Sequence, residues 1–326
     1  MTVLGIESSC DETGVGILRG KNLLANVVAT QESIHQLYGG IVPELASRAH
    51  CSRIDRLYWL ALKRSRCVPS SLNAIGVTTE PGLKGSLLVG VSFATGLGYG
   101  LDIPVYQVNH LQAHLAANYL QPNLSFPALG LVVSGGHTTL FYLKDKISFQ
   151  IIGSTLDDAC GETFDKVARM MNLPFPGGPE IERLAKQGNP EKFRFPVPLL
   201  SPKSLNFSFS GLKTAVLYHL NRYGRKDVPD ICASFQKTVT EVLREKVRRA
   251  LEIYQVKTFL FGGGVMRNKT ISKQLKEFLR SVGVMAIIPE GKLCLDNGGM
   301  VAIMTAALIE SGVSPPERVI RVVPTK

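Results

Sequence analysis

Val3-Leu4-Gly5-Ile6-Glu7-Ser8-Ser9-Cys10-Asp11-Glu12-Thr13-Gly14-Val15-Gly16-Ile17-Leu18 reads as an apolar strand, a small polar turn and a second apolar strand. Leu129-Gly130-Leu131-Val132-Val133-Ser134-Gly135-Gly136-His137-Thr138-Thr139-Leu140-Phe141-Tyr142-Leu143 repeats that plan about half a chain later. A turn of Ser, Gly and Thr between strands can aim several N–H groups and hydroxyls at one point, which makes an anion nest. One copy would be an ordinary hairpin. Two copies at this spacing predict duplicated α/β domains, each with a phosphate loop facing a central cleft.

The rest of the pattern alternates in the same way. Apolar periodicity predicts helices over 44–63, 86–98, 157–171, 231–254, 269–282 and 297–311, and strands over 74–78, 105–108, 258–261 and 285–288. Such alternation argues for parallel or mixed sheets covered by helices. Residues 196–206, rich in Pro and Ser, read as a long surface loop.

A chain of 326 residues suggests two domains, at roughly 150 residues each. Hydrophobic residues at 45% and charged residues at 19% exclude a disordered chain. No apolar run reaches the roughly 20 residues of a membrane span. The N-terminus enters a strand pattern with no signal or transit segment, so a cytoplasmic protein without a membrane partner is expected. Six cysteines without a C-x-x-C pair suit reduced thiols. The 37 Lys+Arg against 26 Asp+Glu leave a net charge of +11, which invites an anionic partner.

Several short patterns carry chemistry. His110 and His114 stand at i and i+4, so a helix presents both imidazoles on one face as usable metal ligands. Leu111 occupies the place of the glutamate in H-E-x-x-H, which excludes the zinc-protease motif. Asp296 precedes a helix, where its ordinary role is an N-cap and its alternative role a third ligand. The glycines of Phe261-Gly262-Gly263-Gly264-Val265-Met266-Arg267-Asn268 follow a strand and allow close approach of a ligand, although the run fits no dinucleotide or Walker pattern. Leu173 to Pro179 reads as a rigid turn. Glu162 and Asp165 open a helix and complement its dipole. Two basic clusters, Arg48 to Arg66 and Arg244 to Arg249, are either solvated helix faces or contacts to an RNA backbone.

Taken together, these segments resemble one family. Gly5-Ile6-Glu7-Ser8-Ser9-Cys10-Asp11-Glu12-Thr13 looks like its N-terminal loop, and Tyr38-Gly39-Gly40-Ile41-Val42-Pro43-Glu44-Leu45-Ala46-Ser47-Arg48 like its second signature. Val133-Ser134-Gly135-Gly136-His137-Thr138, Asp157-Asp158-Ala159, Gly161-Glu162, Phe164-Asp165-Lys166, Phe175 to Pro179, and Asn206-Phe207-Ser208-Phe209-Ser210-Gly211-Leu212-Lys213-Thr214 follow in family order. The family is TsaD (YgjD, Gcp), the bacterial-type tRNA threonylcarbamoyladenosine-forming transferases.

The resemblance implies a duplicated actin/sugar-kinase-like ATPase fold (ribonuclease H-like), with two domains around a central cleft. Residues 1–108 plus about 297–326 would form the N-terminal subdomain. Residues 109–296 would form a C-terminal one carrying most of the nucleotide and metal site. The implied reaction transfers threonylcarbamoyl from threonylcarbamoyl-AMP to N6 of the adenosine at position 37 of tRNA. Carried over by motif, His110, His114 and Asp296 hold one divalent ion, Fe2+ before Zn2+. Val133, Ser134, Gly135, Gly136, His137, Asp165, Gly178, Glu182 and Asn268 match adenylate-binding positions. Ser9, Asp11 and Glu12 form the other loop, with Asp11 and Glu12 as candidates for the base or a second cation site. ATP with Mg2+ is a further ligand pair. Implied partners are tRNA, a TsaB-like paralogue and a TsaE-like ATPase, or a homodimer in their absence.

Some residues depart from the family pattern. Glu80 stands where Gly is usual before Pro81, Lys84 replaces an apolar residue, and the two are expected to pair. Leu295 replaces Thr beside Asp296, and Met266-Arg267 replace smaller residues. Three other readings compete: a non-catalytic partner-binding paralogue, a sugar or acetate kinase of the same fold, and a metalloprotease. The retained His pair opposes the first, and the missing H-E-x-x-H glutamate opposes the last.

Overall fold

The computed structural model describes every residue except 199, 200, 202, 317–319 and 326, so part of the expected 196–206 loop lies outside the described residues. The chain forms two compact units, Met1–Leu124 with Pro289–Lys326, and Ser125–Ile288. These boundaries differ from the expected ones at 108 and 296, and they place His110, His114 and Asp296 together in the first unit.

In the first unit, β1 (Thr2–Glu7), β2 (Glu12–Arg19) and β3 (Asn22–Thr30) form a meander. Helices α1 (Glu32–His35), α2 (Pro43–Cys51) and α3 (Ile54–Ser65) follow, then β4 (Ala74–Glu80), α4 (Lys84–Leu101), β5 (Val105–Asn109) and α5 (His110–Ala116). The sheet order is β3-β2-β1-β4-β5, with β1–β2 and β2–β3 antiparallel and β1–β4 and β4–β5 parallel.

The second unit repeats this plan. It holds β6 (Ala128–Val133), β7 (Thr138–Leu143), β8 (Phe149–Ser154), α6 (Cys160–Met170), α7 (Gly177–Ala185), α8 (Ser210–Tyr223) and α9 (Val228–Ile253). Strand β9 (Thr258–Gly262), α10 (Lys269–Ser281) and β10 (Met285–Ile287) complete it. Its sheet, β8-β7-β6-β9-β10, has the same sequence of antiparallel and parallel pairings as the first. The duplication read from the two hairpins is therefore a duplication of a whole five-stranded topology.

The chain returns to the first unit as α11 (Gly298–Glu310), and glycines decide how it docks. Alternate strand residues face opposite sides of a sheet. Leu4, Ile6, Val15 and Ile17 form a core with Ile54, Leu57 and Tyr58 of α3. Gly5, Gly14 and Gly16 face the other side, where an added Cβ would strike the backbone of Asn297, Gly298 or Gly299. The seam is backbone against backbone. It fixes the start of α11 on the sheet, and Asp296 with it. The second core gathers Leu129, Leu131, Val133, Phe235, Phe259, Phe261 and Leu275.

Some elements differ from the sequence reading. The stretch 44–63 is two helices, because Ser52 turns its hydroxyl onto the Ala49 carbonyl and Arg53 leaves the helical ladder. The glycines of the expected turn at 173–179 open α7, and α8 has no counterpart in the periodicity. All six cysteines are unbridged, as expected. Among the described residues, no helix is long and apolar enough to cross a membrane.

Candidate functional site

The first candidate centre is built at the junction of β5 and α5. Asn109 caps α5, its Oδ1 accepting from the N–H groups of Leu111 and Gln112 at 3.0 and 3.2 Å. The cap fixes His110 as the first helical residue and His114 one turn later, with ring centroids 4.6 Å apart. Asn297 caps α11 by accepting from Met300 N–H at 3.0 Å. The cap is therefore Asn297 and not Asp296, whose carboxylate turns to the histidines. Asp296 Oδ1 lies 3.0 Å from His114 Nε2 and 3.6 Å from His110 Nε2. One ligand atom from each of the three residues falls within 4.8 Å of the others.

This donor set fits a metal ion. His114 is fully buried, yet neither of its ring nitrogens has a hydrogen-bond partner of good geometry among the described residues. The 3.0 Å approach to Asp296 is close without the alignment of a hydrogen bond. Leaving a buried polar atom unpaired is costly, and a cation among the three side chains removes that cost. Behind His110, Nδ1 lies 3.1 Å from Glu7 Oε2 and 3.1 Å from Ser9 Oγ. A carboxylate behind a ligand imidazole fixes its tautomer and aims the other nitrogen at the metal. Glu7 is held in turn by Ser9 N–H and Thr78 Oγ1, both donating at 2.6 Å.

The electrostatics point the same way. Burial alone would lower the His110 imidazole, but the Asp296 and Glu7 carboxylates raise it to about 9. Burial would likewise raise Glu7, and the adjacent His110 holds it below the usual range. Burial, then Asp11 and Asp296, push the Glu12 carboxyl well above its ordinary value. The Cys10 thiol is pushed up by burial and by the same acids. Crowded negative charge of this kind is relieved by a bound cation. Ser8 and Ser9 are buried, Ser9 spent on Glu7 and His110, so the polar groups of this loop face inward.

The second unit holds the other candidate residues. Ser134 N–H donates to the His137 carbonyl at 2.8 Å, closing a turn with Gly135 and Gly136 exposed at its tip. The Ser134 and Gly135 carbonyls accept from Gly161 and Glu162 N–H, each at 3.1 Å, so the first N–H groups of α6 brace the turn. Gly263 has φ of +90°, and a Cβ there would strike the Val133 carbonyl, so β9 ends tightly against the same turn. Asp165 Oδ1 accepts from Gly177 N–H at 2.7 Å, tying α6 to the start of α7 next to Gly178. Glu182 on α7 accepts from Lys269 N–H at 3.0 Å, beside Asn268. Asn268 caps α10 through Oδ1 and donates from Nδ2 to Gln236 at 2.6 Å. Contact by contact, the turn, α6, α7 and the β9–α10 junction form one continuous patch.

Glu7, Thr78 and Asn109 belong to the site by packing and not by any chemical motif of their own in the sequence. An acid ending an otherwise apolar buried strand was the available signal for Glu7. Glu80 does not pair with Lys84 among the described residues. The β4–β5 register shifts between Thr78 and Glu80, which sets Glu80 opposite Asn109, and Asn109 Nδ2 donates to Glu80 Oε1 at 3.3 Å.

Comparison with solved structures shows the fold. HypF of T. kodakarensis superposes at a TM-score of 0.66 with 14% identity, over 96% of this chain and 48% of that one. A ROK hexokinase from Thermus thermophilus gives a TM-score of 0.54 at 15% identity, over 96% and 100%. Component A of the Acidaminococcus fermentans (R)-2-hydroxyglutaryl-CoA dehydratase gives 0.58 at 17%, over 94% and 97%. The fold is the actin/sugar-kinase-like one. In sequence, the tRNA N6-adenosine threonylcarbamoyltransferase of Thermosipho africanus is 44% identical over 317 residues, 96% of each chain. That of Bacillus subtilis is 46% identical over 319 residues, 96% of this chain and 92% of its own. The sequence model of TsaD, tRNA N6-adenosine threonylcarbamoyltransferase, matches residues 22–303. The chain belongs to this family of transferases.

Proposed function

We propose that this transferase moves threonylcarbamoyl from threonylcarbamoyl-AMP to N6 of the adenosine at position 37 of tRNAs that read codons beginning with adenine. The N6 nitrogen attacks the carbamoyl carbonyl carbon. A C–N bond forms, the C–O bond to phosphate breaks, and AMP leaves with the electron pair. The amine proton passes to a base.

His110, His114 and Asp296 would hold a divalent ion, Fe2+ or Zn2+, with Glu7 keeping His110 in the ligating tautomer. Bound there, the ion would supply Lewis acidity toward the donor carbonyl. In the Ser134–Gly135–Gly136 turn, with Val133 and His137 at its ends, the backbone N–H groups of Gly135 and Gly136 at the tip would receive the adenylate phosphate, because those of Ser134 and His137 are spent inside the turn. Asp165 and Glu182 are the carboxylates for ribose hydroxyls, each already fixed by one backbone N–H. Asn268 is engaged at both ends of its amide, so its part is to set the β9–α10 backbone, with Gly178 allowing close approach. Glu12 and Asp11, on the loop that also carries Ser9, are the candidate carboxylates for that base.

The observation that carries this reading is the His110–His114–Asp296 group, with a buried His114 whose ring nitrogens have no hydrogen-bond partner among the described residues, in a chain of the transferase family. Expected partners are a TsaB-like paralogue and a TsaE-like ATPase, and the expected compartment is the cytoplasm. The test incubates the purified chain with those partners, threonylcarbamoyl-AMP and unmodified tRNA, and looks for the modified nucleoside by mass spectrometry. Wild type should form it and His110→Ala should not. No product from wild type refutes the transfer, and full product from the variant removes the metal from it.

A further inference from the structure

We propose that one face of α10, with the edge of β10 beside it, binds the sugar–phosphate backbone of RNA. The choice of RNA as the polyanion rests on the transferase reading. Lys269, Lys273, Lys276 and Arg280 are spaced four, three and four residues apart and are all exposed. At about 100° per residue they fall within about 60° of the helix circumference and run about 16 Å along it. The opposite face carries Ile271, Leu275 and Leu279, all fully buried, so core packing fixes the cations outward. They line a groove of about 580 Å³ whose other wall includes Met285 and Ala286 of β10.

The charge on this face is largely unspent. Among the described residues, the only acidic side chain paired with the stripe is Glu277, 3.9 Å from Lys273. The cluster at 244–249 is different, although the sequence made it the more prominent candidate. Arg248 pairs with Glu245 and Glu252, and Arg249 with Glu245. Lys246 is buried and donates to the Ser204 carbonyl at 2.8 Å, while Arg249 donates to the Ser201 carbonyl at 3.0 Å. Those cations hold their own helix and loop. Among the described residues, the α10 stripe makes only the long Lys273–Glu277 contact. Its length spans several consecutive phosphates of one strand. The groove lining includes no aromatic ring, so the surface suits positioning of a backbone and not base reading.

The test measures binding of an unmodified tRNA transcript to the full chain against salt. The variant is Lys273→Gln/Lys276→Gln/Arg280→Gln, which spares Lys269 beside Glu182 and keeps a good helix former at each position. A control, Arg222→Gln/Arg225→Gln/Lys226→Gln at the exposed C-terminal end of α8 and just beyond it, removes equal charge outside both basic clusters and the α10 stripe. The α10 variant should lose on the order of tenfold or more in affinity at low salt, with a salt slope shallower by about 2–3, and the control should not. An unchanged slope in the α10 variant, or equal loss in both variants, overturns the proposal. A wild type that does not bind the transcript overturns it too. Wild type that binds RNA through this face yet makes no modified nucleoside fails the transferase chemistry alone and leaves the surface standing.

Discussion

His110 Nδ1 lies 3.1 Å from Glu7 Oε2, and the same ring turns Nε2 toward Asp296. Glu7 is thus the residue that decides which nitrogen of His110 is available. Glu7→Gln keeps the volume and one oxygen but can present an N–H to the ring, which favours the wrong tautomer. The expected result is a loss of about 10–100-fold in metal affinity, the usual scale for such supporting carboxylates. Metal content after equilibrium dialysis checks it, with circular dichroism confirming the fold. Unchanged affinity would mean that Glu7 does not orient the ligand.

The same geometry predicts a stability response. An ion that binds only the folded chain stabilises it by about 2.7 kcal/mol at 100 times its dissociation constant. Adding Zn2+ or Fe2+ to metal-stripped protein should therefore raise Tm, and chelation should reverse the rise. Asp296→Asn should abolish most of the response. An equal shift in that variant would place the ion elsewhere.

Asp158 gives a prediction for acid. Burial raises its carboxyl, but hydrogen bonds from Lys166 and Lys213, at 2.7 and 2.6 Å, win and hold it below its usual value near 3.8. A carboxyl depressed in the folded state contributes stability that is fully present above the unfolded value and is lost as pH falls through the folded one. Asp158→Asn should cost about 1–2 kcal/mol near neutrality, reduced from the buried case because both lysines remain partly exposed. The gap between wild type and variant should hold from pH 5 to 8 and shrink below pH 4. Urea titrations across that range measure it.

Much of this architecture was legible because it is local. The paired hairpins announced the duplication, and the i, i+4 histidines announced the ligand face before any contact was known. What stayed hidden depends on partners far apart in sequence. Helix α8 starts where Asp157 accepts from the Phe209 and Ser210 N–H groups, a cap supplied from 52 residues away. No window of periodicity contains such a cap. Asp296 looked like a helix cap because Asn297 can do the same job one residue later. Only the packing of α11 decides between them. Lys246, Arg248 and Arg249 looked available because sequence shows charge but not the carbonyls and acids that consume it.

The seam beneath α11 offers the sharpest test of how fold and site are joined. A Cβ on Gly298 would press on the Gly16 N–H and the Gly5 carbonyl, atoms of two paired strands that cannot both withdraw. Overpacking of this kind costs about 1–3 kcal/mol where side chains can yield, and backbone yields less. Gly298→Ala should therefore lower stability by at least that amount. It should also lift the start of α11, carrying Asp296 away from His110 and His114. The variant should then lose metal affinity although no ligand has changed. A second substitution separates the two effects: Ala307→Gly lies on the same helix far from the seam and should cost about 2 kcal/mol, from helix propensity and the lost buried methyl group. It should leave metal binding intact. If Gly298→Ala loses stability while its metal affinity stays at the wild-type level, the seam holds the helix without setting the ligand.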